Sequence, residues 1–437
     1  MRRRDEAGER RWPGRAAPAR RLFAREAAGR NASRSTAILG TVAVVLAVIL
    51  TGGTLAAYAK YRAVWDGIHR IDVSADLTSH RPPPDPNAHN ILIIGSDSRA
   101  GRNGKIGGGS AFDGQRSDTV MVLHIAPGAH QVIVLSFPRD SVVPIVSCTP
   151  EGGTAGQTAQ PSYAIEQINA SFANGGPGCL WKTIEQTTGI HIDDFVELTF
   201  VGFQKVIDAL HGVTVCLPTA INDPISRLDL SAGRHHVYGR EALAFWRTRE
   251  GVGLGDDPQR IQRDQFLMAA LVKGIERSSL LTSPRAMLAV VDALTSGGYV
   301  TTDSNLSPAT IVRLGEALHG IPTRSVQFVT APWTTYTGNA QWISASQSPA
   351  SGNPNWVQWA QPQANDLFSA IAHDVKLPRT ARLPKAAKQK TKPLPSASSS
   401  PTASGSSSGA GISNLADTYG GITAGVNICN NASAFGG

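Results

Sequence analysis

The chain has 437 residues, 41% of them hydrophobic and 17% charged, with a formal net charge of +8. That length supports a large folded core, and the composition is not that of a disordered chain. The positive excess sits at the two ends. Residues 1–35 hold eleven arginines against four acids, residues 379–392 hold six basic residues and no acid, and residues 36–378 sum to −4. A mildly acidic folded part argues against a duplex-binding surface, so no nucleic-acid partner is expected.

Residues 1–35 read as a disordered basic cytoplasmic arm. Residues 36–58, Thr36 to Tyr58, carry no charge and are rich in Ala, Val, Leu and Ile, which is about the length of a bilayer-spanning helix. No small-x-small cleavage pattern follows before Lys60, so a retained anchor is expected rather than a signal peptide. Arginines dominate its N-terminal flank. That asymmetry predicts a single-pass protein of the cell membrane, with the N-terminus cytoplasmic and the remainder extracytoplasmic. Residues 59–86 read as a stalk, closed by the proline-rich His80-Arg-Pro-Pro-Pro-Asp-Pro86, which ends any helix.

Residues 87–378 carry an α/β pattern. Ile91–Ile94, Thr119–Ile125 and Val132–Phe137 are apolar runs that predict strands, the last two forming a hairpin over Ala126-Pro-Gly-Ala. A helix over Leu180–Thr188 ends at Gly189. A strand is expected at Asp194–Phe200, a helix at Phe203–Leu210 and a strand at Val213–Leu217. Further helices are expected at Gly239–Arg249, Pro258–Ser278, Pro284–Leu294, Pro308–Leu318 and Ala364–His373, with a late strand at Ser325–Thr330. This alternation predicts an α/β fold with a central mixed sheet flanked by helices. Residues 379–437 read as a Ser-, Pro- and Gly-rich flexible linker and a weakly patterned tail.

Four cysteines occur, at 148, 179, 216 and 429. None forms a CxxC pair, which argues against zinc. An exported domain permits disulfides. Cys148 and Cys179 are expected to pair across a Gly-, Thr- and Gln-rich insertion, and Cys216 with Cys429 would tie the tail to the domain.

The chemistry concentrates in two segments. The first runs Asn90-Ile-Leu-Ile-Ile-Gly-Ser-Asp-Ser-Arg99, then Arg116-Ser-Asp-Thr119, then Ser136-Phe-Pro-Arg-Asp140. It sets Asp97 and Asp118 at strand ends, each beside an arginine (Arg99, Arg116), and Arg139 after a buried strand. The second holds Arg247, Arg249, Arg260 and Arg263. Singly, each residue has an ordinary structural reading. An aspartate after Gly95 is a turn former, Arg139 pairs with Asp140, and Arg260 or Arg263 is an exposed helix charge. Together, carboxylates suit a hard cation and arginine forks suit phosphate oxygens, which points to a diphosphate–metal complex.

The ordered set of these motifs resembles the LytR–CpsA–Psr family, in its actinobacterial type. The connecting stretches Ile168-Asn-Ala-Ser-Phe-Ala-Asn-Gly-Gly-Pro177 and Asp193-Asp-Phe-Val-Glu197 do so as well. The resemblance implies an enzyme that moves a glycopolymer, such as a teichoic acid, from a polyprenyl-pyrophosphate carrier to a muramic acid hydroxyl of peptidoglycan, forming a phosphodiester. It also implies a hydrophobic tunnel for the polyprenyl tail. Carried over residue by residue, it implies that Asp97 and Asp118 bind Mg²⁺, or Mn²⁺. Arg116, Arg139, Arg247, Arg249 and Arg260 would clamp the pyrophosphate, with Arg99 and Arg263 as further contacts. Asp97, Arg116, Asp118, Arg139 and Arg249 would carry the reaction. Three departures stand out: a glycine-rich insertion at 102–114, Gln167 where the family often has lysine, and Asp264-Gln265 where it has two glutamines. The alternatives are an extracytoplasmic pyrophosphatase acting on similar lipids and a non-catalytic envelope regulator.

Overall fold

The computed structural model describes residues 19–77, 80–96, 117–148, 164–217, 219–248, 257–278, 290, 297–318, 321–336, 356–378 and 421–424. The chain divides into two units, Met1–Ala63 and Val64–Gly437.

The first unit is essentially helix α1, Ala19–Asp66, whose last residues belong to the second. Within it, Ile38–Ala63 is long and apolar enough to cross a membrane, and side chains such as Leu39, Val44, Ile49 and Leu50 are exposed. The apolar span thus extends past Tyr58. The helix also reaches back to Ala19, into the arm expected to be disordered. Arginine and alanine are good helix formers, so a helix started in the apolar span propagates into that flank.

The second unit is built on one sheet. Its strands are β1 (His69–Ile71), β2 (His89–Ser96), β3 (Ser117–Ile125), β4 (Val132–Phe137), β5 (Asp194–Thr199), β6 (Val300–Asp303), β7 (Val326–Thr330) and β8 (Gly421–Thr423). They lie in the order β1-β6-β5-β2-β3-β4-β7-β8. β1 is parallel to β6, β5 to β2 and β4 to β7, and the other neighbours are antiparallel, so the sheet is mixed as expected. Both faces are covered, which is why the central strands read as continuous apolar runs. On one face Leu92, Ile94, Val122 and Leu135 pack with Phe172 and Trp181 of α2 (Ile168–Thr188) and Phe368 of the closing helix, Gln363–Ala372. On the other, Met121, Val134 and Phe328 pack with Phe203 of α3 (Phe200–Ala209), Phe245 and Trp246 of α4 (Gly239–Arg247) and Phe266 of α5 (Asp257–Arg277).

Several boundaries differ from the sequence expectation. The sheet extends beyond 87–378 on both sides. β1 lies in the expected stalk, and β8 lies in the tail, with Ile422 buried against the sheet. Helix α2 begins at Ile168 rather than Leu180, because Gly175-Gly176 bends the helix and Pro177 restarts it. It stops at Gly189, whose φ of 71° lets its N–H reach the Glu185 carbonyl at 2.9 Å. The expected helix at Pro284–Leu294, apart from the helical Val290, and the linker at 379–420 lie outside the described residues. The Cys148–Cys179 disulfide is present, with Cα atoms 5.4 Å apart. Cys216 is also disulfide-bonded, while Cys429 lies outside the described residues.

Candidate active site

The β3–β4 pairing creates the site. Val120 faces Phe137 across the ladder, so the first residues of β3 lie beside the residues that follow β4. Arg139 Nη1 therefore donates to Asp118 Oδ1 at 2.6 Å. Arg139 Nε lies 3.5 Å from Asp140 Oδ2, and Gln167 Nε2 donates to Asp140 Oδ1. The Arg139 carbonyl accepts from Asn169 N, and the Ser141 carbonyl from Ile168 N, which locks the Pro-Arg-Asp turn onto the start of α2. Gln167 thus orients Asp140 where a lysine would have added charge. The Asp118 and Arg139 side chains are 18% and 20% exposed, so water screens this pair less than a surface pair.

Helix α5 supplies the opposite wall. Ile261 and Asp264, three apart on one helix face, line a slot with Asp118, Thr119, Ser136, Phe137 and Arg139. Gln265 Nε2 donates to Thr330 Oγ1 at 2.9 Å, pinning α5 to the end of β7. Asp264 is 5% exposed. The hydroxyls of Ser117, Thr119 and Ser136 are buried without a hydrogen-bond partner among the described residues. Buried hydroxyls in that condition carry a desolvation cost that a bound polar ligand would recover. A β-bulge between Gly95 and Ser96 ends β2 here. Gly95 is closely surrounded, since a Cβ would sit 3.0 Å from Thr119 Cβ and 3.4 Å from the Trp246 ring, so a neighbour would have to give way.

The structure brings Asp118 and Arg139 together and sorts the remaining arginines. Arg247 ends α4 with its guanidinium 5.4 Å from the centre of the Phe200 ring, a cation–π contact. Arg263 is 1% exposed and donates from Nη2 to the Thr248 carbonyl at 3.1 Å. It braces α5 against the end of α4, so it is not the exposed helix charge of its ordinary reading. Asp97, Arg99, Arg116 and Arg249 lie outside the described residues, as does the side chain of Arg260. Asp97 directly follows Ser96, which pairs with Ser117.

Asp264 is a site residue that the sequence pattern does not single out as functional. It departs from a two-glutamine pattern, yet it presents a second carboxylate, beside Asp118, to the slot. Its signal was its spacing from Arg260 and Ile261 on one helix. Among the described residues, the slot that adjoins Arg139 encloses about 10 Å³. Met121 of the slot belongs to the same core layer as Phe203 and Trp246, whose ring centres are 4.3 Å apart.

The described residues contain no cluster of three or more His, Cys, Asp or Glu suited to a metal. The side chains that do line the slot offer oxygen donors, namely two carboxylates and the Thr119 and Ser136 hydroxyls. That set fits a hard divalent cation and not zinc.

A mixed sheet flanked by helices, with Asp118, Arg139 and Asp264 gathered at one end of its central strands, defines an α/β domain with a polar slot at its strand ends. The LytR_cpsA_psr family model matches residues 58–353, and the chain belongs to that family. It is 30% identical over 286 residues to a probable cell wall biosynthesis protein, LcpB of Corynebacterium glutamicum, covering 64% of this chain and 62% of that protein. It is 28% identical to the cell wall biosynthesis protein LcpA of the same organism, over 57% of this chain and 51% of the relative. The chain thus spans less than two thirds of either relative. It is 29% identical to the polyisoprenyl-teichoic acid–peptidoglycan teichoic acid transferase TagU of Oceanobacillus iheyensis, over 61% of this chain and 77% of that one. Among solved structures it is similar to a LytR-Csp2A-Psr enzyme from Actinomyces oris, at 19% identity and a TM-score of 0.49, covering 70% of this chain and 96% of that one.

Proposed function

We propose that this protein transfers a glycopolymer from a polyprenyl-pyrophosphate carrier to a muramic acid hydroxyl of peptidoglycan, outside a membrane in which α1 anchors it with the N-terminus cytoplasmic. The observation that carries this reading is the Asp118–Arg139 pair at the mouth of a slot lined by buried oxygen donors. The names of the relatives, cell wall biosynthesis proteins and teichoic acid transferases, support it.

In this reaction the acceptor hydroxyl oxygen bonds to the phosphorus that bears the glycan. The bond from that phosphorus to the polyprenyl phosphate breaks, and the hydroxyl proton leaves. Phosphoryl transfer of this kind needs positioning and charge neutralisation more than covalent help. Arg139 neutralises the pyrophosphate, and Asp118 fixes the direction of its guanidinium. Arg116, Arg247, Arg249 and Arg260 add charge, and Arg263 holds α5 in register through Thr248. Asp97 and Asp118 would hold Mg²⁺, with Asp264 beside them. When bound, that ion supplies further charge neutralisation on the phosphoryl oxygens. Thr119 and Ser136 offer hydrogen bonds to a polar group entering the slot.

The test is a reconstituted reaction of the full chain in detergent, with a polyprenyl-pyrophosphate-linked glycan and peptidoglycan fragments, with and without a chelator. Polyprenyl phosphate released together with a glycan–phosphate–peptidoglycan product, and lost on chelation, is the expected result. Release with only free glycan phosphate would favour the pyrophosphatase instead.

A further inference from the structure

Away from the slot, a second concave site lies between α5 and the hairpin of Val213–Leu217 with Gly233–Val237. Its cavity measures about 400 Å³. Gly212, Gly274 and Ala270 are among the residues that line it. Three cations border it. Lys273 and Arg277 stand four apart on α5 and so share a helix face. Arg234 comes from the hairpin strand, where it pairs in register with Cys216. Arg234 and Arg277 are exposed, and neither forms an ion pair among the described residues. Glu276 is the acid beside them on the same helix. Burial and then Arg277 hold the Lys273 amine below its ordinary pKa, and Glu276 does not offset them. The wall is ordered: His236 bonds through Nε2 to the His211 carbonyl at 2.7 Å and contacts Thr214 Oγ1 at 3.3 Å.

This concentration of positive charge is not the background of the molecule, because residues 36–378 are net negative. Two guanidiniums around one amine form the donor set that grips phosphate oxygens through paired N–H groups. The site is separate from the slot. Asp264 belongs to the slot, and Lys273 and Arg277 lie nine and thirteen residues further along α5, roughly 14–20 Å away at helical rise. A concave groove takes a chain, whereas a bilayer face needs a convex or flat apolar surface.

We propose that this groove binds a segment of a phosphate-bearing polyanionic chain, holding the polymer at a point remote from the bond being made. The proposal deepens the transfer function and rests on it only for the origin of the polymer. Binding is measured without turnover, so the two can fail separately.

The experiment titrates a fluorescent oligo(glycerol phosphate) into the full-length protein in neutral detergent, read by anisotropy at several salt concentrations. The double variant Arg234→Gln/Arg277→Gln should bind about tenfold more weakly or worse, with a shallower salt dependence. Arg277→Glu alone should weaken binding as well, and Arg139→Ala should leave most of the affinity intact. Both groove arginines are exposed, so melting temperatures should not change. Equal affinity in wild type and the double variant would overturn the proposal. So would affinity lost only in Arg139→Ala, or binding of anionic vesicles, but not of the oligomer, through these arginines.

Discussion

The two ends of the central sheet hold the same kinds of residue and put them to different use. Where β2 and β5 begin, acids and bases satisfy each other. Arg81 grips both oxygens of the buried Glu185 at 2.9 and 2.7 Å and lies over the Trp181 ring. His89 Nε2 lies 2.6 Å from Asp194 Oδ2, and Asp193 accepts from Asn90 N at 2.7 Å. Asp303 accepts from the backbone of Phe195 and Asn305. At the other end, the Asp118–Arg139 contact sits among buried hydroxyls that the described protein leaves without partners. A cluster closed on itself stabilises a fold, and one with unspent hydrogen-bonding capacity is suited to a ligand. Charge alone does not separate the two. The accounting of donors and acceptors does.

If that contrast is right, substitutions at the two ends should fail in different ways. The largest effect is expected from Arg139→Ala, which should lower transfer kcat/KM on the order of a thousandfold while moving the melting temperature little. An equal loss of stability would make Arg139 a brace and break the contrast. Glu185→Gln tests the opposite end. It leaves the Arg81 charge in a partly buried place, so it should cost about 3 kcal/mol in denaturant unfolding while transfer per folded molecule stays at the wild-type level.

A smaller effect concerns pH. Burial, reinforced by Asp194, pushes the Asp303 carboxyl up to about 6. The folded state therefore favours its protonated form. Its stabilising contribution is present at low pH and is lost as pH rises through about 6. The buried His124 is pushed down to about 4 and contributes with the opposite sign, but it is common to wild type and variant. Between about pH 4 and about pH 7, Asp303→Asn should gain about 1–2 kcal/mol relative to wild type, after allowance for solvent screening. Parallel melting curves across that range would remove Asp303 from the closed network.

What could be read from the sequence follows the same division. Val132–Phe137, Val213–Leu217 and Pro308–Leu318 lie where their apolar patterns put them, because each is decided locally. The edge strands were not legible. His69–Ile71 and Gly421–Thr423 are three residues each, and they are strands only because distant partners pair with them. At the site, Asp118 and Arg139 were legible because each adjoins a strong strand. The burial of Arg263 and the entry of Asp264 into the slot depend on how α5 is rotated against the sheet, which its sequence alone does not fix.

The most direct measurement sets the two ends side by side in one transfer assay. Asp118→Asn and Asp194→Asn remove one carboxylate charge each, one from the slot and one from the closed network. With full-length protein, a polyprenyl-pyrophosphate-linked glycan and peptidoglycan fragments, Asp118→Asn should abolish the phosphodiester-linked product while remaining folded. Asp194→Asn should form product at the wild-type rate per folded molecule, with reduced stability. Wild-type product formation by folded Asp118→Asn would contradict the assignment of the site.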